Sequence, residues 1–179
     1  MKKFLAMSIL AACSSSVFAD VNYSLAITEP EHHLGNVSVE FPETAQAHLD
    51  VKLPAWRTGR YEILNLANGV RFFDAKDDDG KPLKWEKIDH STWRVHLNEP
   101  THVNIDYQVY ANELGKRARH IDDSHAFIDA SGFFMFSESF RQDPVTVKLD
   151  VPKAWRSVSG MENAGSKHSF KAADYDILV

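Results

Sequence analysis

The chain has 179 residues and a formal net charge of −5, from 20 Lys and Arg against 25 Asp and Glu. With 44% hydrophobic and 25% charged residues, its composition is that of an ordinary globular domain, which excludes disorder, collagen and coiled coil. The acidic balance argues against a nucleic-acid partner, because such a protein needs a basic face to neutralise phosphates. A single cysteine excludes an intramolecular disulfide and a Cys-rich zinc site.

The N-terminus, residues 1–19, is predicted to be a signal peptide rather than part of the fold. Two lysines precede an apolar run over residues 4–12, and small residues stand at the −3 and −1 positions of a cleavage site after Ala19. The run is too short to span a bilayer. We therefore expect an exported, periplasmic protein. An alternative stays open, because residues 10–13 resemble a bacterial lipobox, in which Cys13 would be lipidated and would attach the protein to a membrane.

The rest of the chain alternates between apolar and polar residues in six segments, over residues 21–27, 37–41, 47–53, 92–97, 103–110 and 145–151. Alternation indicates half-buried strands, because successive side chains on a strand point to opposite faces. Pro, Gly, Asp and Glu residues separate the segments. The pattern predicts an all-β domain over residues 20–179, an antiparallel β-sandwich of roughly eight to ten strands. One short helix is expected over residues 61–68, and His32 and His33 are expected in an exposed turn.

Two further patterns have plain structural interpretations. The acidic stretch at residues 77–80 half-fits a calcium loop, but Ala75 stands at the first ligand position and no flanking helices are predicted, so we interpret it as an Asp-Gly turn. The four tryptophans would suit a sugar-stacking platform, yet Trp93 falls in register with the apolar face of its strand. Core packing is therefore the favoured interpretation.

Residues 119–125 form the densest cluster of titratable side chains. On a continuous strand, His120 and Asp122 would share one face, and Asp123 and His125 the other. That arrangement offers one or two metal ligands and no third at a known spacing, so no metal site is assigned. Two interpretations stay open: a salt-bridged turn in which the preceding arginines pair with the two aspartates, and a loop that faces a ligand or another domain.

The sequence carries no motif for catalysis of its own. It contains no H-E-x-x-H, no G-x-S-x-G and no phosphate-binding glycine loop. Its cysteine lies in the predicted signal peptide, which leaves no cysteine nucleophile. We therefore expect this chain to be neither an enzyme by itself nor the holder of a cofactor.

Four segments of the sequence resemble one known family. Residues 53–61 (L-P-A-W-R-T-G-R-Y) resemble the pattern L-P-x-W-x-P-G-S-Y, residues 107–114 resemble Y-x-V-Y-A-x-E-L, and residues 120–127 resemble H-L-D-D-T-H-x-F. Residues 174–179 resemble D-Y-D-x-L-V. In order and spacing these blocks are similar to the N-terminal domain of the glycyl aminopeptidase family of zinc metallopeptidases. Thr58 and Arg60 depart from the family's Pro and Ser.

The resemblance implies a β-sandwich domain that precedes a thermolysin-like catalytic domain with H-E-x-x-H and zinc. On that basis we expect this chain to be truncated before the catalytic domain, and to be a non-catalytic domain of an exported zinc aminopeptidase. It would pack on the catalytic domain of the same polypeptide and shape the access of peptide N-termini. Peptide substrates, but no nucleic acid, are the further partners expected, and a membrane only if Cys13 is lipidated. The alternative is a stand-alone periplasmic module that binds carbohydrate or protein.

Two loops are expected to face the substrate or the neighbouring domain, because polar and charged residues concentrate there at strand ends. We name residues 56–61 the tryptophan loop and residues 119–125 the histidine loop. The candidate residues are Trp56, Arg60, Tyr61, Arg119, His120, Asp122, Asp123 and His125.

Overall fold

Strands dominate the architecture of the chain. A computed structural model describes residues 20–57, 62–115 and 119–179, and twelve strands lie within them. They are β1 (Val21–Ala26), β2 (Leu34–Thr44), β3 (His48–Lys52), β4 (Val70–Lys76), β5 (Trp85–Lys87), β6 (Thr92–His96), β7 (Thr101–Tyr110), β8 (His120–Ile121), β9 (Ala126–Phe127), β10 (Val145–Asp150), β11 (Glu162–Asn163) and β12 (Ser169–Ala172). The described residues also contain two four-residue helices, α1 (Ala130–Phe133) and α2 (Tyr175–Leu178). Three 3-10 turns lie at Pro30–His32, Leu66–Gly69 and Glu138–Phe140.

The strands form one large sheet and two small ones. The large sheet has the order β11-β12-β10-β1-β2-β7-β4, the second is β3-β6-β5, and β8 pairs with β9. All six segments predicted from alternation are strands, which confirms the all-β sandwich. One pairing differs from a purely antiparallel sandwich, since β1 and β10 run parallel, with Val21 opposite Val145. Parallel neighbours need a long connection, and here eight other strands lie between them in the chain.

The core lies between the two larger sheets. Alternate residues of β1, β2 and β7 are buried, and side chains such as Leu25, Phe41 and Ile105 are at most 1% exposed. Burial of this apolar surface is the main force that holds the sheets together. Trp93 is buried and its ring stacks on Phe73 with centroids 5.4 Å apart, as expected for a core residue.

Local structure differs from expectation around residue 66. The helix predicted over residues 61–68 is a 3-10 turn at Leu66–Gly69, and Leu64 before it donates its backbone N–H to the Ala55 carbonyl at 2.8 Å. The acidic stretch at residues 77–80 is the turn that was predicted, with Gly80 at φ 76° and its N–H 3.0 Å from the Asp77 carbonyl.

Some of the predicted features lie outside the described residues: the signal peptide with Cys13, and Arg60 and Tyr61 of the tryptophan loop. Among the helices that are described, none has the length and hydropathy that crossing a membrane requires.

Candidate functional site

Arg119, the first residue of the histidine loop, is buried, with 3% of its surface exposed. Its Nη1 donates hydrogen bonds to the carbonyls of Leu66 at 2.7 Å and Gly132 at 3.1 Å, and its Nη2 lies 3.7 Å from the Glu113 carboxylate. Burial lowers the pKa of this guanidinium. The interpretation as a salt-bridged turn is therefore wrong for Arg119, because backbone carbonyls from two other segments hold its guanidinium in the interior; Arg117 lies outside the described residues.

A second arginine, Arg57, lies in the same interior region. Its Nε donates to the Ser131 hydroxyl at 3.1 Å, and its Nη2 lies 2.5 Å from the Asp129 carboxylate. Gly132 lies between the two arginines, since a Cβ there would meet Arg119 Cδ at 3.4 Å and Arg57 Nη2 at 3.6 Å. We call these five residues the arginine network. It ties the start of the tryptophan loop to the start of the histidine loop.

The rest of the histidine loop is a hairpin between β8 and β9. The Asp122 Oδ1 accepts hydrogen bonds from the Ser124 N–H at 2.8 Å, the Ser124 hydroxyl at 2.7 Å and the His125 N–H at 2.9 Å. This turn reverses the chain at Asp122. His125 therefore lies on the same side as His120, whereas strand alternation placed them on opposite faces.

The turn brings two imidazoles to one carboxylate. His120 Nε2 lies 2.9 Å from Asp122 Oδ2, and His125 Nδ1 lies 3.3 Å from Asp122 Oδ1. Ligand atoms of these three residues all lie within 4.8 Å of one another. The hydrogen bonds from His120 and then from Ser124 hold the pKa of the Asp122 carboxyl well below its usual range, so the carboxylate is ionised at neutral pH.

His33 packs behind this hairpin rather than lying exposed in its turn. Its φ is 59°, its Nδ1 contacts the Ile121 carbonyl, and its ring lies 6.2 Å from that of His120. The expectation of an exposed His33 is wrong because the left-handed backbone at the end of the Pro30–His32 turn directs the ring inward. No pattern in the sequence signals this contact.

The other candidate residues are not part of this cluster. Asp123 is exposed at the tip of the turn. Trp56 is half-buried, with the Arg141 guanidinium 5.7 Å from its ring centroid. Arg141 in turn pairs with Asp176 of α2 at 2.8 Å, so Trp56 lies near the last helix and not at the histidines.

An apolar groove of about 540 Å³ borders the hairpin. Ser124 and His125 contribute to its wall, and the remainder is mostly aliphatic and aromatic, including Leu25, Leu149, Trp155 and Phe170. Sequence reasoning missed this groove, because its walls come from segments far apart in the chain whose apolar residues look like ordinary core.

Comparison with known proteins gives a consistent family and fold. The model of the Peptidase M61 N-terminal domain matches residues 22–179. The crystal structure of an aminopeptidase N family protein from Idiomarina loihiensis aligns with a TM-score of 0.81 at 24% identity, over 89% of this chain and 28% of that one. An M1 zinc metallopeptidase from Deinococcus radiodurans aligns with a TM-score of 0.44 at 15% identity, over 87% of this chain and 38% of that one. No curated protein sequence matches. The chain thus spans under a third of the Idiomarina protein, whose likeness is one of fold.

Proposed function

Because the chain belongs to the Peptidase M61 N-terminal domain family, we propose that it is the non-catalytic N-terminal domain of a zinc aminopeptidase. The family match over residues 22–179 is the observation that carries this proposal. The chain contains no H-E-x-x-H, so zinc and the hydrolytic step belong to a catalytic domain of the same polypeptide. The role of this domain is then to pack on that catalytic domain and to shape the access of peptide N-termini.

The face that does this lies beside the starts of the two loops, which the arginine network joins. Large aliphatic side chains next to each loop are unusually exposed, with Ile63 at 85% and Leu114 at 84%. Burying such a side chain in an interface contributes about 1.5–3 kcal/mol. The arginine network beneath them fixes the loop bases, which suits a surface that must keep its shape against a partner.

The same face carries charge that suits a peptide amino group. Asp123 is exposed at the tip of the hairpin, which therefore presents a carboxylate to solvent. A carboxylate near the entrance to a catalytic cleft attracts a protonated N-terminus and disfavours a blocked one. This supports a preference for free amino termini in the complete protein.

The test uses the complete polypeptide. It should hydrolyse a short peptide with a free amino group and leave the N-acetylated peptide intact. Leu114→Glu should raise the rate of limited proteolysis between the domains, because a carboxylate replaces an apolar contact. Ile88→Glu, on the turn between β5 and β6, is the matched control and should behave as wild type. Equal proteolysis of wild type and Leu114→Glu, or cleavage of the acetylated peptide, would contradict the proposal.

We also propose that the protein is exported, as the pattern over residues 1–19 suggests. Mass spectrometry of protein isolated from the periplasm should give a mature chain that starts at Asp20. A lipid adduct on Cys13 would instead favour the membrane-attached form, and an intact Met1 would contradict export.

A second candidate function is a stand-alone binding module, and the apolar groove favours it. Trp155 lines the groove, so a bound sugar or apolar peptide should change its fluorescence. Saturable quenching by oligosaccharides or peptides in wild type, lost in Trp155→Leu, would support this function. An unchanged signal throughout would count against it.

A further inference from the structure

We propose that the histidine loop binds a divalent transition-metal ion such as Zn²⁺, with His120, Asp122 and His125 as its protein ligands. Two imidazoles and one carboxylate form a common three-ligand set for zinc, with a fourth position left to water or to another ligand. This site lies within the chain itself and does not depend on the proposed function.

The distances between the ligand atoms suit a single ion. For metal–ligand bonds of about 2.0–2.2 Å in tetrahedral geometry, neighbouring ligand atoms lie roughly 3.3–3.6 Å apart. The separation of His125 Nδ1 from Asp122 Oδ1 is 3.3 Å, and that of His120 Nε2 from Asp122 Oδ2 is 2.9 Å. A small rotation of the imidazoles therefore admits an ion. Within the described parts of the chain, these are the three residues whose ligand atoms converge in this way.

The hairpin holds the ligands in place before any ion arrives. Ile121, between His120 and Asp122, is fully buried and donates its N–H to the Ala111 carbonyl at 2.8 Å. The Asp122 Oδ1 is fixed by three hydrogen bonds from Ser124 and His125, which leaves Oδ2 directed to His120. A preformed loop of this kind loses little conformational entropy on binding.

The ring of His120 has capacity for a further partner. It is buried, its Nε2 contacts Asp122, and its Nδ1 has no hydrogen-bond partner among the described residues. A neutral imidazole always carries one nitrogen with a free lone pair, which is the form that a metal binds. When the ring proton lies on Nδ1, the Nε2 lone pair faces the Asp122 carboxylate, and an ion between the two binds both.

The chemistry of the donors selects the metal. Imidazole favours Zn²⁺, Cu²⁺ and Ni²⁺, whereas Mg²⁺ and Ca²⁺ prefer all-oxygen sites. The ionised Asp122 contributes one negative charge. The His125 side chain is 61% exposed, so the fourth position is open to solvent. His125 also borders the apolar groove, so a ligand of the ion can reach that groove.

Isothermal titration of the chelator-treated 179-residue chain with Zn²⁺ alone tests the site. We expect one equivalent to bind, and no comparable heat with Mg²⁺. His125→Ala and Asp122→Asn should each weaken binding by more than the roughly 10–100-fold that the loss of an outer-shell partner costs. The asparagine keeps an oxygen for the turn, so its effect reports on the carboxylate. Circular dichroism checks that both variants are folded.

His102→Ala is the matched control. His102 Nδ1 also contacts a carboxylate, 3.0 Å from Asp78, but it is not part of a three-ligand cluster. This variant should bind Zn²⁺ as wild type does. Absence of a stoichiometric site in wild type, an unchanged affinity in His125→Ala, or an equal loss in His102→Ala would each overturn the proposal.

Discussion

Arg119 of the arginine network directly precedes the hairpin of the histidine loop, and the network and the hairpin use charged side chains in opposite ways. Arg119 is 3% exposed and bonds to backbone carbonyls, whereas His125, six residues later, is 61% exposed at the side chain and shares a carboxylate with His120. A buried charge whose hydrogen bonds go to the main chain fixes the fold. The partly exposed cluster of His120, Asp122 and His125 carries the ligand atoms of the proposed metal site. Depth in the fold, and not charge density along the sequence, separates the two roles.

The largest expected effect comes from breaking the arginine network. Arg119→Met keeps most of the side-chain volume and leaves the carbonyls of Leu66 and Gly132 without a donor in a buried region. We expect a loss of about 3 kcal/mol in the free energy of unfolding, measured by urea denaturation. Arg94→Met, which removes a half-buried arginine that pairs with Asp50, is the control and should cost much less. Equal losses would refute the assignment of Arg119 as structural.

A methyl group beside Arg119 should have the next largest effect. A Cβ at residue 69 would lie 2.5 Å from Arg119 Nη2 and 3.0 Å from the Tyr110 carbonyl, so Gly69→Ala forces the guanidinium to move. Overpacking of this kind costs about 1–3 kcal/mol. Gly160→Ala meets nothing within 4 Å and serves as the control in thermal unfolding. Equal melting temperatures of Gly69→Ala and Gly160→Ala would contradict the close packing of the Arg119 guanidinium against residue 69.

In the hairpin, the corresponding substitution should cost less stability than Arg119→Met. Asp122→Asn keeps an oxygen as the acceptor of the turn but loses the ionised carboxylate that His120 and Ser124 stabilise, so the urea midpoint should fall, and by less than in Arg119→Met because the hairpin is partly exposed. The same variant should lose Zn²⁺ binding. A midpoint shift as large as that of Arg119→Met would mean that the hairpin is structural as well.

The smallest expected effect is the pH dependence of a half-buried ion pair, Asp50 with Arg94. Hydrogen bonds from Arg94 hold the pKa of the Asp50 carboxyl below its usual value. The stabilisation is therefore present above the unfolded-state pKa of about 4 and is lost as the pH falls through the lower folded-state pKa. After solvent screening it amounts to less than about 1 kcal/mol. Urea unfolding of wild type and Asp50→Asn should differ slightly at pH 7 and converge below about pH 4; a gap that widens in acid would contradict this sign.

Much of the fold was predictable because alternation reports directly on burial. The long strands such as β1, β7 and β10 bury every second residue, so six segments could be located from sequence. Short strands such as β8 and β11, two residues each, carry no period at all. The parallel pairing of β1 with β10 depends on contacts across most of the chain, which local patterns do not encode.

The sequence predicted where in the chain the candidate site lies, but not how its side chains are arranged in space. The histidine loop was found by its density of titratable groups, but the pairing of Arg119 with the loop aspartates and the placement of His125 on the face opposite His120 were wrong. Arg119 lies deep because of acceptors at residues 66 and 132, which no local rule connects to it. The sequence did indicate the turn that places His125 beside His120, because an Asp followed two residues later by Ser favours a turn capped by the Asp side chain.

Hydrogen–deuterium exchange on the complete polypeptide and on the 179-residue chain tests most directly the claim that the two loops form the face toward a catalytic domain. We predict slower amide exchange in the complete protein at residues 53–66 and 111–127, and unchanged exchange in the β5–β6 hairpin. Equal exchange at both loops in the two proteins would contradict the account.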